Sequence, residues 1–261
     1  MDGGYKNLFT VVTVTYNAVG VISPTLNSVR EQSFQDYEYL VIDGASSDAT
    51  LDAVRSSGIP NVRIVSEPDH GLYDAMNKAI DKAEGKYLIF LNAGDAFADA
   101  DVLQRMADEA AKEPDIIYGQ TQLVDEQGNV LGARHLTAPA RLTVKSFASG
   151  MLVCHQAFVA KRSIMGHYDM QYRFSADYDW CIRCLKASKA NAYLGEKPVI
   201  SYLADGLSVK NRKKSLKERF GIMCKYYGTL PTVARHVGFA FRFAANKWRM
   251  DEAKKRLARG E

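Results

Sequence analysis

The chain has 261 residues, of which 47% are hydrophobic, 10% aromatic and 25% charged, a composition that suits one large domain, or a domain plus an appendage, and excludes a disordered or low-complexity chain. No run of 18 apolar residues occurs, and the polar start Met1–Lys6 lacks the basic and apolar regions of a signal peptide, so a cytoplasmic protein without a spanning helix is expected. The net charge of +4 is uneven: Asp205 to Glu261 holds 15 Lys+Arg against 5 Asp+Glu (+10) and the rest 19 against 25 (−6), which predicts an anionic partner for the C-terminal segment and an acidic body.

In chain order, Leu8–Tyr16 is β-branched and apolar and predicts a buried strand. Ser23-Pro24 combines a cap residue with proline at a first helical position, opening a helix to about Glu31. Tyr37–Asp43 is a second strand, and Ser47 caps a short helix through Val54. Val62–Ser66 is a third strand, and a helix from about Leu72 to Ala83 is closed by Gly85. Tyr87–Asn92 is a fourth strand, Asp101–Ala111 a helix and Asp115–Tyr118 a strand. In the second half, Thr121–His135 reads as a hairpin turning at Asp125–Asn129, and Gly150–Ala160 as a strand. Ser175 caps a helix from near Asp177 to Lys189, Asn191–Tyr202 is a further strand, and a basic helical segment follows Gly206. Cys181 and Cys184 form C-x-x-C within an apolar helix and have no second pair, so they read as buried thiols rather than a zinc or redox site.

Strand–helix alternation at this spacing predicts an α/β fold with a mostly parallel sheet covered on both faces, and ligands in such sheets sit at the carboxyl ends of the strands. Polar clusters stand there: Thr15-Tyr16-Asn17, Asp43-Gly44-Ala45-Ser46-Ser47-Asp48, Glu67-Pro68-Asp69-His70-Gly71 and Asn92-Ala93-Gly94-Asp95. Any one is commonly a turn or cap; all together, on successive strand ends, they point to a site. The chain carries no G-x-G-x-x-G after the first strand, no P-loop, no G-x-S-x-G and no H-E-x-x-H.

The run VVTVTYNAVGVISPTLNSVREQSFQDYEYLVIDGASSDAT resembles the start of family 2 glycosyltransferases of the GT-A fold. SEPDHGLYDAMNKAIDKAEGKYLIFLNAGD, CHQAFVAKR and FSADYDWCIRCLKA are similar to the bacterial exopolysaccharide and colanic-acid subgroup, and the likeness spans about Leu8 to Leu207. It implies a Rossmann-like GT-A domain over 1–205, with a nucleotide-binding half 1–119 and an acceptor half 120–205, followed by a basic amphipathic helical extension over 206–261. It implies an inverting transfer of a hexose-type sugar from a nucleoside-diphosphate sugar, UDP-sugar favoured, to a saccharide or lipid-linked saccharide in cell-surface polysaccharide synthesis. By resemblance Thr15, Tyr16, Asn17, Asp43 and Gly44 hold the nucleoside, with Asp69, Asn77 and Lys78 near the nucleotide or donor sugar. Asn92, Gly94, His155 and Gln156 are candidates for contact with donor or acceptor sugar, a satisfied structural histidine being the alternative for His155. Asp95 matches the end of the D-x-D segment and is the expected ligand of Mn²⁺ or Mg²⁺; Asp177 matches the catalytic base.

Those roles suit the chemistry. A hard cation neutralises a departing diphosphate, and inversion needs one positioned carboxylate to deprotonate the acceptor, not the two of a retaining glycosidase. Two departures stand out. The usual D-x-D-D run is Asn92-Ala93-Gly94-Asp95 here, and Met76 replaces the arginine of many relatives. Asp179 is the rival base, and Asp177 near a helix start also fits a purely macrodipole role. Arg212, Lys213 and Lys214 read as a solvated charge run or as diphosphate contacts. The alternative function is a non-catalytic sugar-nucleotide or polysaccharide-binding protein at the membrane face. In the C-terminal segment Val233, Val237, Phe241, Ala244 and Trp248 recur at helical spacing, widened by Phe239 and Phe243 and flanked by Arg235, Arg242, Lys247 and Arg249. That pattern predicts docking on an anionic inner membrane face, with packing on the catalytic domain or in a homodimer as the other reading; no nucleic-acid partner is expected.

Overall fold

A computed structural model describes residues 4–204 and 211–238. The chain divides into two compact units, Met1–Ser215 and Leu216–Glu261. The first opens with β1 (Asn7–Thr15), α1 (Ile22–Arg30), β2 (Tyr37–Asp43), α2 (Thr50–Arg55), β3 (Arg63–Ser66), α3 (Leu72–Lys82) and β4 (Gly85–Phe90). β5 (Ala96–Phe97), α4 (Val102–Ala110), β6 (Ile116–Val124) and β7 (Val130–Ala133) come next, then β8 (Phe158–Lys161), α5 (Ala176–Ala187) and β9 (Asn191–Leu203). α6 spans Arg212–Tyr227, and a further helix covers 229–238.

The strands form one mixed sheet in the order β3-β2-β1-β4-β8-β6-β9-β5, with β7 paired to β6. β1, β2, β3 and β4 are mutually parallel, as alternation with helices requires, and β6 runs parallel to β9. β8 enters antiparallel between β4 and β6. β1 is buried from Phe9 to Thr15, the burial of a central strand covered on both faces. α1 buries Ile22, Thr25, Leu26 and Val29, the one-face spacing of an amphipathic helix. It begins at Ile22, so Pro24 sits in the first turn, where backbone N–H groups have no intrahelical acceptor to lose.

The second half departs from its sequence expectation. Gly150–Ala160 is not one strand: Val144–Ser149 is a short 3₁₀ helix, His155–Ala157 a single 3₁₀ turn, and only Phe158–Lys161 pairs in the sheet. Thr143 and Ser146 form a reciprocal capping box that turns the chain before Gly150. The segment read as a strand because it is almost continuously buried, a pattern that irregular backbone also gives when its polar side chains find internal partners. Asp115–Tyr118 and the first arm of the expected hairpin are a single long strand, β6. α2 starts at Thr50, with Asp48 rather than Ser47 accepting a backbone N–H at its start (Thr50 N, 3.0 Å).

Cys181 and Cys184 are buried thiols, as expected, and Cys154 is buried too; burial pushes Cys184 up to about 12. Among the described residues no helix is long and apolar enough to cross a membrane. Of the C-terminal stripe, Val233, Val237 and Arg235 lie in the helix over 229–238; Phe239, Phe241, Arg242, Phe243, Ala244, Lys247, Trp248 and Arg249 fall outside the described residues.

Candidate active site

The chain leaves β1 for β2 and β3 on one side and returns to β4 on the other, so strand order reverses between β1 and β4. The crevice beyond the carboxyl ends of those strands is where an α/β sheet binds ligands. Thr15 ends β1, and Asn92 lies two residues beyond β4. Thr15 Oγ1 and Asn92 Oδ1 are both buried, and neither has a hydrogen-bond partner among the described residues. An atom of this kind costs about 1–3 kcal/mol if nothing meets it, and two of them border the switch point.

Around this point the loops after β1, β2 and β3 are tied to one another. Asn17, at φ 47°, takes Ser47 N on its Oδ1 at 2.9 Å and gives its own N–H to Ser46 Oγ at 2.8 Å. Asp43 is fully buried and accepts from Ser46 N (2.9 Å), Ser46 Oγ (2.5 Å) and Ser66 Oγ (2.7 Å). Gly44 is required by close approach: a Cβ there would strike the Asp69 carboxylate and come within 3.3 Å of the Tyr16 ring. Asp69 accepts Gly71 N at 2.8 Å. Tyr16 is 65% exposed, a flat ring at a strand end with a carboxylate close by. Tyr16, Gly44 and Asp69 are therefore brought together, with Asn17 and Asp43 fixing the loop beneath them.

The α3 candidates are engaged within the protein. Asn77 clamps the backbone of Tyr168, giving Nδ2 to its carbonyl (3.1 Å) and accepting its N–H (2.7 Å). Lys78 donates to Pro68 O at 2.7 Å and pairs with Glu67 and Asp74 at 3.3 and 3.5 Å, so its charge is already matched. Met76 is buried in the core, and Lys78 does not take its place.

The turn after β4 is held by α1. Thr25 donates its hydroxyl to Asp95 O (2.6 Å) and accepts Gly94 N (2.9 Å). The expected metal ligand, Asp95, is turned inward: it is 5% exposed, its Oδ2 accepts Gln156 Nε2 (2.6 Å) and its Oδ1 accepts Leu203 N (3.1 Å). Burial pushes its carboxyl up to about 7 against those two bonds. Gln156 in turn accepts Cys154 Sγ at 2.8 Å. His155 also faces inward, stacked on Phe90 (5.3 Å) and bonded through Nε2 to Tyr168 Oη (2.5 Å), with burial pulling its pKa down to about 4. His155 and Gln156 support the site from within rather than line it.

The two acidic residues opening α5 separate cleanly. Asp179 is buried and ion-paired with Arg183, Nε to Oδ2 at 2.7 Å. Asp177 is half-buried; its Oδ1 accepts Tyr73 Oη from the first turn of α3 (3.1 Å) and Tyr178 N (2.9 Å). Tyr73, Tyr168 and Thr25 escaped sequence reasoning. Thr25 alone left a trace there, as a hydroxyl on the apolar face of α1.

Comparison with known proteins agrees with this geometry. Residues 10–168 match the family model described as Glycosyl transferase family 2. The chain is 35% identical over 186 residues to a PGL/p-HBAD biosynthesis glycosyltransferase of Mycobacterium bovis (strain BCG / Pasteur 1173P2), covering 68% of this chain and 69% of that one. It is 28% identical over 196 residues to the amylovoran biosynthesis glycosyltransferase AmsB of Erwinia amylovora, covering 68% and 64%. In fold it is similar to S. aureus TarS 1-349 in complex with UDP-GlcNAc (TM-score 0.66, 17% identity, 88% and 73% covered). The mannosyltransferase PcManGT from Pyrobaculum calidifontis, in complex with GDP-Man and Mn²⁺, is also similar (TM-score 0.60, 17% identity, 97% and 81% covered). For a cation held by carboxylates the Asn92–Asp95 turn is a poor fit. Asn92 brings an amide and Gly94 no side chain, both oxygens of Asp95 are engaged by protein donors, and no group of three or more His, Cys, Asp or Glu suited to a metal occurs among the described residues. At Gly94 the backbone is left-handed (φ 100°), and a Cβ would lie 3.0 Å from Leu203 Cδ2, so an acidic side chain there would meet a strained backbone and need Leu203 to give by a few tenths of an ångström.

Proposed function

Since the chain belongs to glycosyl transferase family 2, we propose that it transfers a hexose-type sugar with inversion from a nucleoside-diphosphate sugar, UDP-sugar favoured, to a saccharide or lipid-linked saccharide acceptor in cell-surface polysaccharide synthesis. The observation that carries this reading is the pair of unpartnered buried atoms, Thr15 Oγ1 and Asn92 Oδ1, at the switch point of the sheet. Tyr16 offers its exposed ring to the base, and Asp43 and Asn17 shape the loop that receives the nucleoside, with Gly44 and Asp69 at its edge. Lys78 holds the rim by fixing the Glu67–Pro68 turn, and Asn77 fixes Tyr168 in the core beside it. Asn92 and Gly94 face the sugar side.

Asp177 is the base. It takes the acceptor hydroxyl proton as that oxygen attacks the anomeric carbon from the side opposite the diphosphate, which departs with the electron pair of the broken C–O bond. Asp179, locked to Arg183, is not available for this role. Both oxygens of Asp95 are taken by Gln156 and Leu203, so it offers none to a divalent cation. The excess of 15 Lys+Arg over 5 Asp+Glu from Asp205 to Glu261 supports a peripheral place on an anionic inner membrane face.

Thermal-shift titration with UDP-, GDP- and dTDP-sugars, with and without Mn²⁺, tests the reading. A UDP-sugar should raise the unfolding midpoint, and Thr15→Val should leave the free protein as stable while weakening donor binding about 5- to 10-fold, the loss of one hydrogen bond worth ~1 kcal/mol. No shift with any nucleotide sugar, or undiminished donor affinity in Thr15→Val, defeats it.

A further inference from the structure

The Asp177 carboxylate is held unevenly. Its Oδ1 receives two hydrogen bonds, from Tyr73 Oη at 3.1 Å and Tyr178 N at 2.9 Å, and its Oδ2 receives none among the described residues. Tyr178 N is a rigid backbone donor one residue along the helix. Tyr73 comes from α3, 104 positions away in sequence. Its side chain is itself tightly seated: the residue is 6% exposed, and its ring stacks on Tyr168 at 5.5 Å and 24°. Tyr168 stacks in turn on Trp180 of α5 at 5.0 Å and 15°. Its backbone is clamped by Asn77, and its hydroxyl is bonded to His155. The phenol that reaches Asp177 thus stands on a packed aromatic column and cannot swing away without unstacking it.

A proton acceptor needs one oxygen free and aimed. Two donors on Oδ1 fix the rotation of the carboxylate about its last side-chain bond and leave the lone pairs of Oδ2 for the incoming hydroxyl. We propose that Tyr73 is a positioning residue for transfer: its hydroxyl sets the orientation of Asp177 so that Oδ2 meets the acceptor. This rests on the reading of Asp177 as the base. The cost of losing such an orienting contact is a loss of reactive geometry, which acts on turnover rather than on donor binding.

Tyr73→Phe keeps the ring and its stacking and removes only the hydroxyl. With the UDP-sugar selected by thermal shift and a saccharide acceptor it supports, kcat should fall about 10- to 100-fold, with donor KM and the unfolding midpoint close to those of the parent. In an Asp177→Asn background the same change should cost no further activity, because its effect passes through the carboxylate. An equal loss in both backgrounds, a raised donor KM with unchanged kcat, or parental kcat in Tyr73→Phe overturns the proposal. Near-parental transfer by Asp177→Asn alone would instead remove Asp177 as the base, an outcome read before Tyr73 is touched.

Discussion

Asp177 and Asp179 lie two positions apart in α5, yet their replacement by asparagine should damage different properties. The Asp179 side chain is 1% exposed and bonded to Arg183 Nε at 2.7 Å, and Arg183 is 32% exposed. Breaking a fully buried pair costs about 3–5 kcal/mol. Here the stranded guanidinium regains some hydration and keeps its bond to His167 O, so about 2 kcal/mol is the reasoned loss for Asp179→Asn. At roughly 2–4 °C per kcal/mol for a chain of this size, the midpoint should drop by about 4–8 °C. Asp177 is half-buried, and an asparagine there still presents an oxygen to Tyr73 and to Tyr178 N, so its stability should stay within about 0.5 kcal/mol of the parent. Transfer should fall about 10²- to 10⁴-fold in Asp177→Asn and only mildly in Asp179→Asn, assayed below its lowered midpoint. The measurements are thermal unfolding and nucleoside diphosphate released per turnover with acceptor present. An inactive but folded Asp179→Asn beside a near-normal Asp177→Asn would refute the assignment and move the base to Asp179.

Asp95→Asn should change donor affinity by the same factor in Mn²⁺ and in chelator, measured by calorimetry, because both carboxylate oxygens are spent on Gln156 and Leu203; an effect confined to Mn²⁺ would make Asp95 a ligand after all. His155, held near 4 by burial against an ordinary value of 6.5, binds fewer protons folded than unfolded between those values. Its contribution is therefore complete above about pH 6.5 and lost as pH falls to about 4, by roughly 3 kcal/mol. Chemical unfolding of parent and His155→Gln across that range should show the difference shrinking toward acid, since Asp95, with its raised value, acts with the opposite sign in both proteins. Flotation with anionic liposomes should retain the full chain at low salt, weaken at high salt and lose a chain ending at Tyr227; indifference to anionic liposomes at low salt would refute membrane docking.

The first half of the chain was legible because its signals are local. Each parallel strand is a short apolar run closed by polar residues, and the spacing of α1 repeats over a single face. The second half was less so. The run from Gly150 to Ala160 has the apolar density of a strand, and only the Thr143–Ser146 box, with the inward bonds of His155 and Gln156, breaks it into turns. Residue types at the site were readable but their directions were not. Asp95 faces inward because of partners 61 and 108 positions away, and Asp177 is steadied by one 104 away. Such choices depend on which elements meet, and periodicity carries no record of that.

The crowding of Gly94 by Leu203 also bears on how the turn could evolve. An aspartate arising at position 94 would meet both a left-handed backbone and the Leu203 side chain, so on its own it would be a defect before it could become a ligand. A smaller residue at 203 would ease the contact but not the backbone, so the conformation of the turn, more than its neighbour, is what keeps glycine at this position.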